Sequence, residues 1–287
     1  MKGLKKIFGE RYTEEEKAKK VYSSDASQIE GNPICIVYPI NADEIHKLVS
    51  YARRNGIGLT PRGYGTGIYG GATPLNSIVV DMCLMNKILE IKNDEMVVQP
   101  GVTIENINRE LTNYSFPIIP HSPETATIGG LVSVNYECDL GKASDWVKEL
   151  RVVDGNGSIV RVKEKIEEYC MEGANCIIVE LKLKLEKKSN ERSMTIYSFN
   201  TVDAMSKKVK ELTKDEDVRR IEFLDHFCST LIGLDDAYHI FVEFKNDKGN
   251  IKNWKEVEDI LETCNNIYRQ LISKGYIYCL DPKMPQE

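Results

Sequence analysis

Between Asn55 and Leu75 the chain carries Gly56, Gly58, Gly63, Gly65, Gly67, Gly70 and Gly71, with Pro61 and Pro74 among them. No long regular element survives such a density of breakers, so the fold has to turn here. The residues before it are orderly. Ile34-Cys35-Ile36-Val37-Tyr38 is a short apolar strand ended by Pro39, and Asn41 or Asp43 caps a helix with Ile45, Leu48, Val49 and Ala52 on one face. Asn55-Gly56 stops that helix, and Ile57-Gly58-Leu59-Thr60 is a second strand. A β-α-β unit therefore runs straight into Pro61-Arg62-Gly63-Tyr64-Gly65-Thr66-Gly67.

Gly65 to Gly70 spells GxGxxG, but the dinucleotide fingerprint needs a helix to begin at the loop. Here Gly70-Gly71-Ala72-Thr73-Pro74 continues with breakers, and the strand Ile78–Met82 comes next. The context argues against a Rossmann unit. What the stretch does offer is backbone N–H groups with few side chains in the way, the makings of an anion cradle. Arg62 adds charge and Thr66 a hydroxyl donor. A second loop of similar character, Thr125-Ala126-Thr127-Ile128-Gly129-Gly130, lies beyond Pro117, Pro120 and His121. Two such loops can clasp a diphosphate from both sides.

Further strands are expected at Lys87–Ile91, Glu95–Gln99, Val147–Val153, Ser158–Val162 and Cys176–Leu185. Thr103 caps a helix bearing Ile104, Ile107 and Leu111, and Asp154-Gly155-Asn156-Gly157 marks a hairpin. Residues 1–30 read as a charged helical lead-in, 31–188 as one domain and 194–287 as a small second one. Lys187 to Ser193, without an apolar residue, forms the boundary. The second domain runs strand, helix, strand, strand, helix, strand: Met194–Phe199, Val202–Leu212, Val218–Phe223, His239–Phe244, Trp254–Ser273 and Tyr276–Leu280. That order suits a ferredoxin-like α+β layer.

A net charge of -6 argues against nucleic acid as the partner. The basic clusters at Lys17, Lys19, Lys20 and at Lys182, Lys184, Lys187, Lys188 have acids among or near them and read as solvated faces. No apolar run approaches the ~18 to 20 residues of a membrane helix, and the basic N-terminus lacks the apolar core of a secretory signal. A cytoplasmic protein is expected, peripheral to a membrane only through a partner. The eight cysteines include no CxxC pair, and the four histidines are dispersed. Neither pattern signals zinc, an iron–sulfur cluster or another metal.

An ordered series of segments carries a family resemblance. Tyr22-Ser23-Ser24-Asp25 precedes Pro33 and Tyr38-Pro39; Pro61 to Gly67 follows, then Val80-Asp81 and Met85-Asn86-Lys87-Ile88. Next come Val98-Gln99-Pro100-Gly101-Val102, Ala126 to Gly130 with Asn135, Val152-Val153 with Gly157, and Ile177-Ile178-Val179-Glu180. From Tyr22 to about Leu185 the chain resembles the PCMH-type FAD-binding domain of the flavoproteins related to vanillyl-alcohol oxidase, above all its glycolate oxidase and D-lactate dehydrogenase branch.

The resemblance implies an α+β fold: a two-subdomain FAD-binding domain followed by a small, truncated cap. It implies that FAD is held by Pro61, Arg62, Gly63, Tyr64, Gly65, Thr66, Gly67 and Tyr69 of the first loop. From the second region it implies Ser122, Thr127, Ile128, Gly129, Gly130 and Ser133, with the main chain at Ile177 and Ile178. Thr66 stands where covalent relatives often have a histidine, so non-covalent FAD is expected. The implied reaction is oxidation of a small 2-hydroxy acid such as glycolate or D-lactate, with hydride passing to flavin N5. Electrons would leave to a quinone or to a partner such as an iron–sulfur protein. A non-catalytic or electron-relaying subunit of a larger dehydrogenase is the alternative. A reductase of the cell-wall precursor type ranks last, because its glycine loop differs from Pro61–Gly67.

Three departures bear on this. Asn135–Gly141 is short, Cys176 replaces a glycine and reads as a buried thiol, and the family's histidine-rich cap motif is absent. No catalytic residue is assigned. His226 reads as solvent-facing or packed, and Arg219 and Arg220 as ion-pair partners.

Overall fold

A computed structural model describes residues 2–120, 122–138, 140–170, 176–188, 193–231 and 233–251. The chain divides into two compact units, Met1–Lys187 and Lys188–Glu287.

The first unit opens with α1 (Lys2–Phe8), β1 (Tyr12–Thr13) and α2 (Glu16–Tyr22). The expected lead-in is thus broken by a short strand, which pairs antiparallel with β2 (Pro33–Val37). It is also structural, because Leu4 and Phe8 are buried in a core. α3 (Ala42–Asn55) begins at Asn41, whose side chain accepts from the Glu44 N–H at 3.0 Å. It buries Ile45, Leu48, Val49 and Ala52, the face its periodicity predicts. β3 (Gly58–Arg62) and β4 (Ser77–Asp81) follow, and β4 slots between β2 and β3, parallel to both. The first sheet therefore has the order β1-β2-β4-β3.

β5 (Ile88–Lys92) and β6 (Glu95–Val98) form a hairpin, and α4 (Ile104–Arg109) starts at its Thr103 cap. After β7 (Tyr114–Ser115) comes α5 (Ile128–Ser133), then a two-residue hairpin of β8 (Glu137–Cys138) and β9 (Gly141–Lys142). β10 (Val147–Asp154) and β11 (Ile159–Val162) make the hairpin that the Asp-Gly-Asn-Gly turn predicts. β12 (Cys176–Lys184) completes the second sheet, ordered β11-β10-β12-β6-β5, and β13 (Glu186–Lys187) pairs with β7.

The unit has two cores, and β10 and β12 are the wall between them. Val153, Ile177 and Val179 pack with Leu4, Ile45, Leu48, Ile78 and Val80 in the first core. Val152, Ile178, Leu181 and Leu183 pack with Ile104, Ile107, Phe116 and Ile128 in the second. Strict alternation would put Leu181 on the same face as Ile177 and Val179. A register shift opposite Arg151 and Val152 adds one residue to β12 and turns the strand over. One strand thereby serves both cores.

The second unit contains β14 (Ser193–Phe199), α6 (Val202–Leu212), β15 (Val218–Leu224), α7 (His226–Leu231) and β16 (Tyr238–Phe244). Its sheet is antiparallel in the order β14-β16-β15. Met205 and Leu212 of α6 pack against Ile240, Val242 and Phe244. The short α7 is not anticipated by the sequence reading. The helix and strand expected at 254–273 and 276–280 lie outside the described residues.

Candidate functional site

Pro61 and Arg62 end β3 on the carboxyl side of the parallel strands, the edge where open α/β sheets present ligands. The loop that follows returns only at β4, and no helix begins in it. Tyr64 and Tyr69 are more than half exposed, at 54% and 55%, and Thr66, Gly67 and Ile68 are exposed as well. Among the described residues, nothing accepts a hydrogen bond from the N–H of Gly65, Thr66, Gly67 or Ile68. A row of unspent main-chain donors in a glycine-rich turn is a general anion-binding device.

Arg62 lies directly under that row, where a Cβ on Gly65 would be 2.3 Å from its Nη2. Its side chain is buried, with Nη1 donating to the carbonyls of Ser24 at 2.9 Å and Ala72 at 3.3 Å. Its guanidinium lies 5.3 Å from the centre of the Tyr22 ring. The positive charge thus binds carbonyls beneath the loop while standing against the Gly65 main chain. Tyr22 in turn donates to Asp81 Oδ2 at 2.5 Å, while Asp81 Oδ1 accepts from the Cys83 N–H at 2.8 Å. Burial, then Asp81, raises the Tyr22 phenol well above its ordinary range. The sequence reading uses Tyr22 and Asp81 only as markers of resemblance; it gives no sign that they touch.

The second region needs a larger correction. Ile128 to Ser133 is not a loop but α5, and its first donors are already spent. The Ile128 N–H bonds to the Val102 carbonyl at 2.8 Å, that of Gly129 to Pro100 at 2.8 Å, and that of Gly130 to the Thr127 hydroxyl at 3.2 Å. Gly129 is required by packing: a Cβ there would lie 2.5 Å from Pro100 Cβ. Ser133 is exposed but returns its hydroxyl to the Gly129 carbonyl at 2.7 Å. Ser122 closes a turn by accepting from Thr125 and Ala126. The N–H groups of Ile128, Gly129 and Gly130 are therefore spent, and the second region supplies a capped helix.

The two regions do meet. A Cβ on Gly63 would lie 2.4 Å from Thr127 Oγ1, so the loop's stem rests directly on the α5 cap. Ile177 and Ile178 bury their side chains in opposite cores. β12 pairs with β10 from Cys176 to Leu183, but with β6 only from Leu181 to Lys184. Along Cys176–Glu180 one edge of the strand has no strand partner among the described residues, and α5 lies against β12. An unpaired strand edge offers alternating donors and acceptors.

Cys176 is partly buried, and burial followed by Asp154 pushes its thiol up to about 11. Nearby Cys170 is pushed up to about 12, again chiefly by burial. Such thiols stay protonated near neutrality and are poor nucleophiles. In the second unit His226 is exposed at the start of α7, with Nδ1 3.2 Å from Asp236 Oδ1. His239 is buried, with Nδ1 2.9 Å from Ser229 Oγ. Arg219 pairs with Glu243 at 3.0 Å in a largely buried position, and Arg220 pairs with Glu222. Among the described residues no group of side chains is arranged to hold a metal ion, and no helix is long and apolar enough to cross a membrane.

Residues 33–163 match a family model described as an FAD binding domain. The glycolate oxidase subunit GlcD of Bacillus subtilis (strain 168) is 29% identical over 249 residues, which covers 79% of this chain and 53% of that protein. The mitochondrial D-lactate dehydrogenase (cytochrome) of Arabidopsis thaliana is 26% identical over 214 residues, 67% of this chain and 37% of that one. The chain thus spans about half the length, or less, of these curated relatives. The solved structure of an alkyldihydroxyacetonephosphate synthase shares the fold, with a TM-score of 0.75 at 17% identity over 93% of this chain and 58% of its own. This chain therefore carries, in residues 33–163, an FAD binding domain of the PCMH type, and FAD is its cofactor.

Proposed function

We propose that the chain is an FAD-dependent oxidoreductase that oxidises a small 2-hydroxy acid and passes the electrons to a partner protein or a quinone. The observation that carries the cofactor half of this reading is the row of unspent N–H groups from Gly65 to Ile68, on a stem that rests on Thr127. Those donors suit a pyrophosphate, and the open edge at Cys176–Glu180 suits the polar rim of a flat ring. The substrate class is supported by the names of the relatives, a glycolate oxidase subunit and a D-lactate dehydrogenase. When bound, the flavin supplies the hydride-accepting chemistry, while the protein binds, orients and shields it. Thr66 has no nucleophilic ring nitrogen, so the cofactor is held without a covalent bond.

The test is the visible spectrum of the purified protein, before and after acid precipitation, followed by anaerobic addition of D-lactate or glycolate. Flavin released into the supernatant and bleached by either acid before precipitation is the expected result. Flavin retained in the pellet refutes the non-covalent attachment. Flavin that binds but is bleached by no 2-hydroxy acid favours an electron-relaying subunit instead. The positions of His226 and His239, one tied to Asp236 and the other buried against Ser229, give that second reading its support.

A further inference from the structure

Two buried opposite charges, Asp25 and Arg62, each 8% exposed, grip the same residue of the glycine loop. Arg62 Nη1 donates to the Ala72 carbonyl at 3.3 Å, and the Ala72 N–H donates to Asp25 Oδ2 at 3.1 Å. Asp25 Oδ1 accepts from the Ser27 N–H at 2.9 Å, and the Ala26 N–H donates to the Gly65 carbonyl at 3.0 Å. Farther along, the Asn32 N–H donates to the Pro74 carbonyl at 2.6 Å, and the Thr73 hydroxyl to that of Ile29 at 3.4 Å. The irregular segment from Ser23 to Asn32 is thus tied to both the rising and the returning limbs of the loop.

A buried carboxylate is costly unless its oxygens are bonded, and a glycine-rich loop loses much entropy when a ligand orders it. The two costs are met by one arrangement. Asp25 satisfies both of its carboxyl oxygens in a buried place by accepting from main-chain donors, and in doing so it fixes the loop before a ligand arrives. We propose that Asp25 is a positioning residue of the flavin site. Acting through Ala72 and opposite Arg62, it holds the two limbs at the spacing that leaves the Gly65–Ile68 donors together and unspent. The proposal rests on the reading that this loop takes the FAD pyrophosphate.

The experiment uses Asp25→Asn in the full chain, with FAD affinity read from flavin fluorescence quenching. An amide has one acceptor oxygen, so the N–H of either Ser27 or Ala72 loses its partner. The dissociation constant should rise about tenfold or more, the loss expected for one charge-assisted bond. The absorption spectrum of flavin bound at saturation should stay that of the wild type, because Asp25 acts only through the loop. Glu44→Gln, which weakens the Arg11 ion pair elsewhere in the unit, should lower thermal stability and leave FAD affinity unchanged. An unchanged affinity in Asp25→Asn overturns the proposal while leaving the FAD reading intact; a wild type that takes up no FAD overturns that reading itself. Hydrogen exchange on the FAD-free wild type is a test that no misfolded variant can spoil. The Ala72 amide should be protected and those of Gly65–Ile68 fast, and a fast Ala72 amide also overturns the proposal.

Discussion

Gly63 shows how much a single missing atom can decide. Its hypothetical Cβ, 2.4 Å from the Thr127 hydroxyl, would have to push the loop stem off α5. Gly63→Ala should therefore cost about 1 to 3 kcal/mol, the usual range for overpacking, and weaken FAD binding; urea unfolding and flavin titration check the two effects. Thiol chemistry gives a second check at this scale. Burial disfavours the thiolate and raises Cys176 to about 11 and Cys170 and Cys35 to about 12. In the native protein these thiols should react slowly with a disulfide reagent at neutral pH and reach ordinary rates after denaturation. Rapid native reaction at Cys176 would reopen a redox role for it. Arg62 marks the limit of reading residues from sequence alone. Its charge is plain, but only the position of the Ser24 and Ala72 carbonyls decides that it turns inward.

Among the elements, readability followed the strength of the local signal. α3 has an Asn cap, one apolar stripe and a terminating Asn-Gly, and its sequence pattern specifies both ends. The β10–β11 hairpin is announced by its turn. α5 is the opposite case: Ile-Gly-Gly-Leu-Val-Ser contains two poor helix formers, and it is helical because Thr127 caps it and Pro100 and Val102 take its first N–H groups. None of those partners can be found by inspecting six residues. α7 and the two-residue strands escaped for the same reason, being too short to show a period. One staple crosses three strands: Glu95 on β6 meets Lys182 on β12 at 2.5 Å and Lys148 on β10 at 2.7 Å. Hydrogen bonds to Lys148 and then Lys182 hold its carboxyl down at about 2. A carboxyl lowered on folding stabilises above its unfolded value of about 4.3, and that contribution is lost as pH falls through about 2. Glu95→Gln should therefore be less stable than wild type at neutral pH and equal to it below pH ~2. The difference should also shrink in high salt, as expected for an exposed network.

Over the whole molecule, the α+β class and the flavin family could be read from ordered motifs, because glycines and prolines punctuate the chain where the backbone must turn. The division of labour within the site could not, because it depends on which N–H groups the fold has already used. Every group placed at the candidate site lies within Met1–Lys187, as do both cores that support it. Residues 1–187 expressed alone should thus bind FAD with an affinity close to that of the full chain, measured by the same titration. A large loss would show that the second unit contributes to the cofactor site.

The wall shared by the two cores also has a history. Leu4 and the apolar face of α3 are made before their partners Ile177 and Val179, which come last in that core. Ile104 and Ile107 wait likewise for Leu181 and Leu183. Neither core closes from one end of the chain. Contacts so distant in sequence form slowly, and the nascent chain carries two unfinished apolar faces until the last strands of this unit are made. β12 then completes both at once, so the step that finishes the first core is the step that finishes the second.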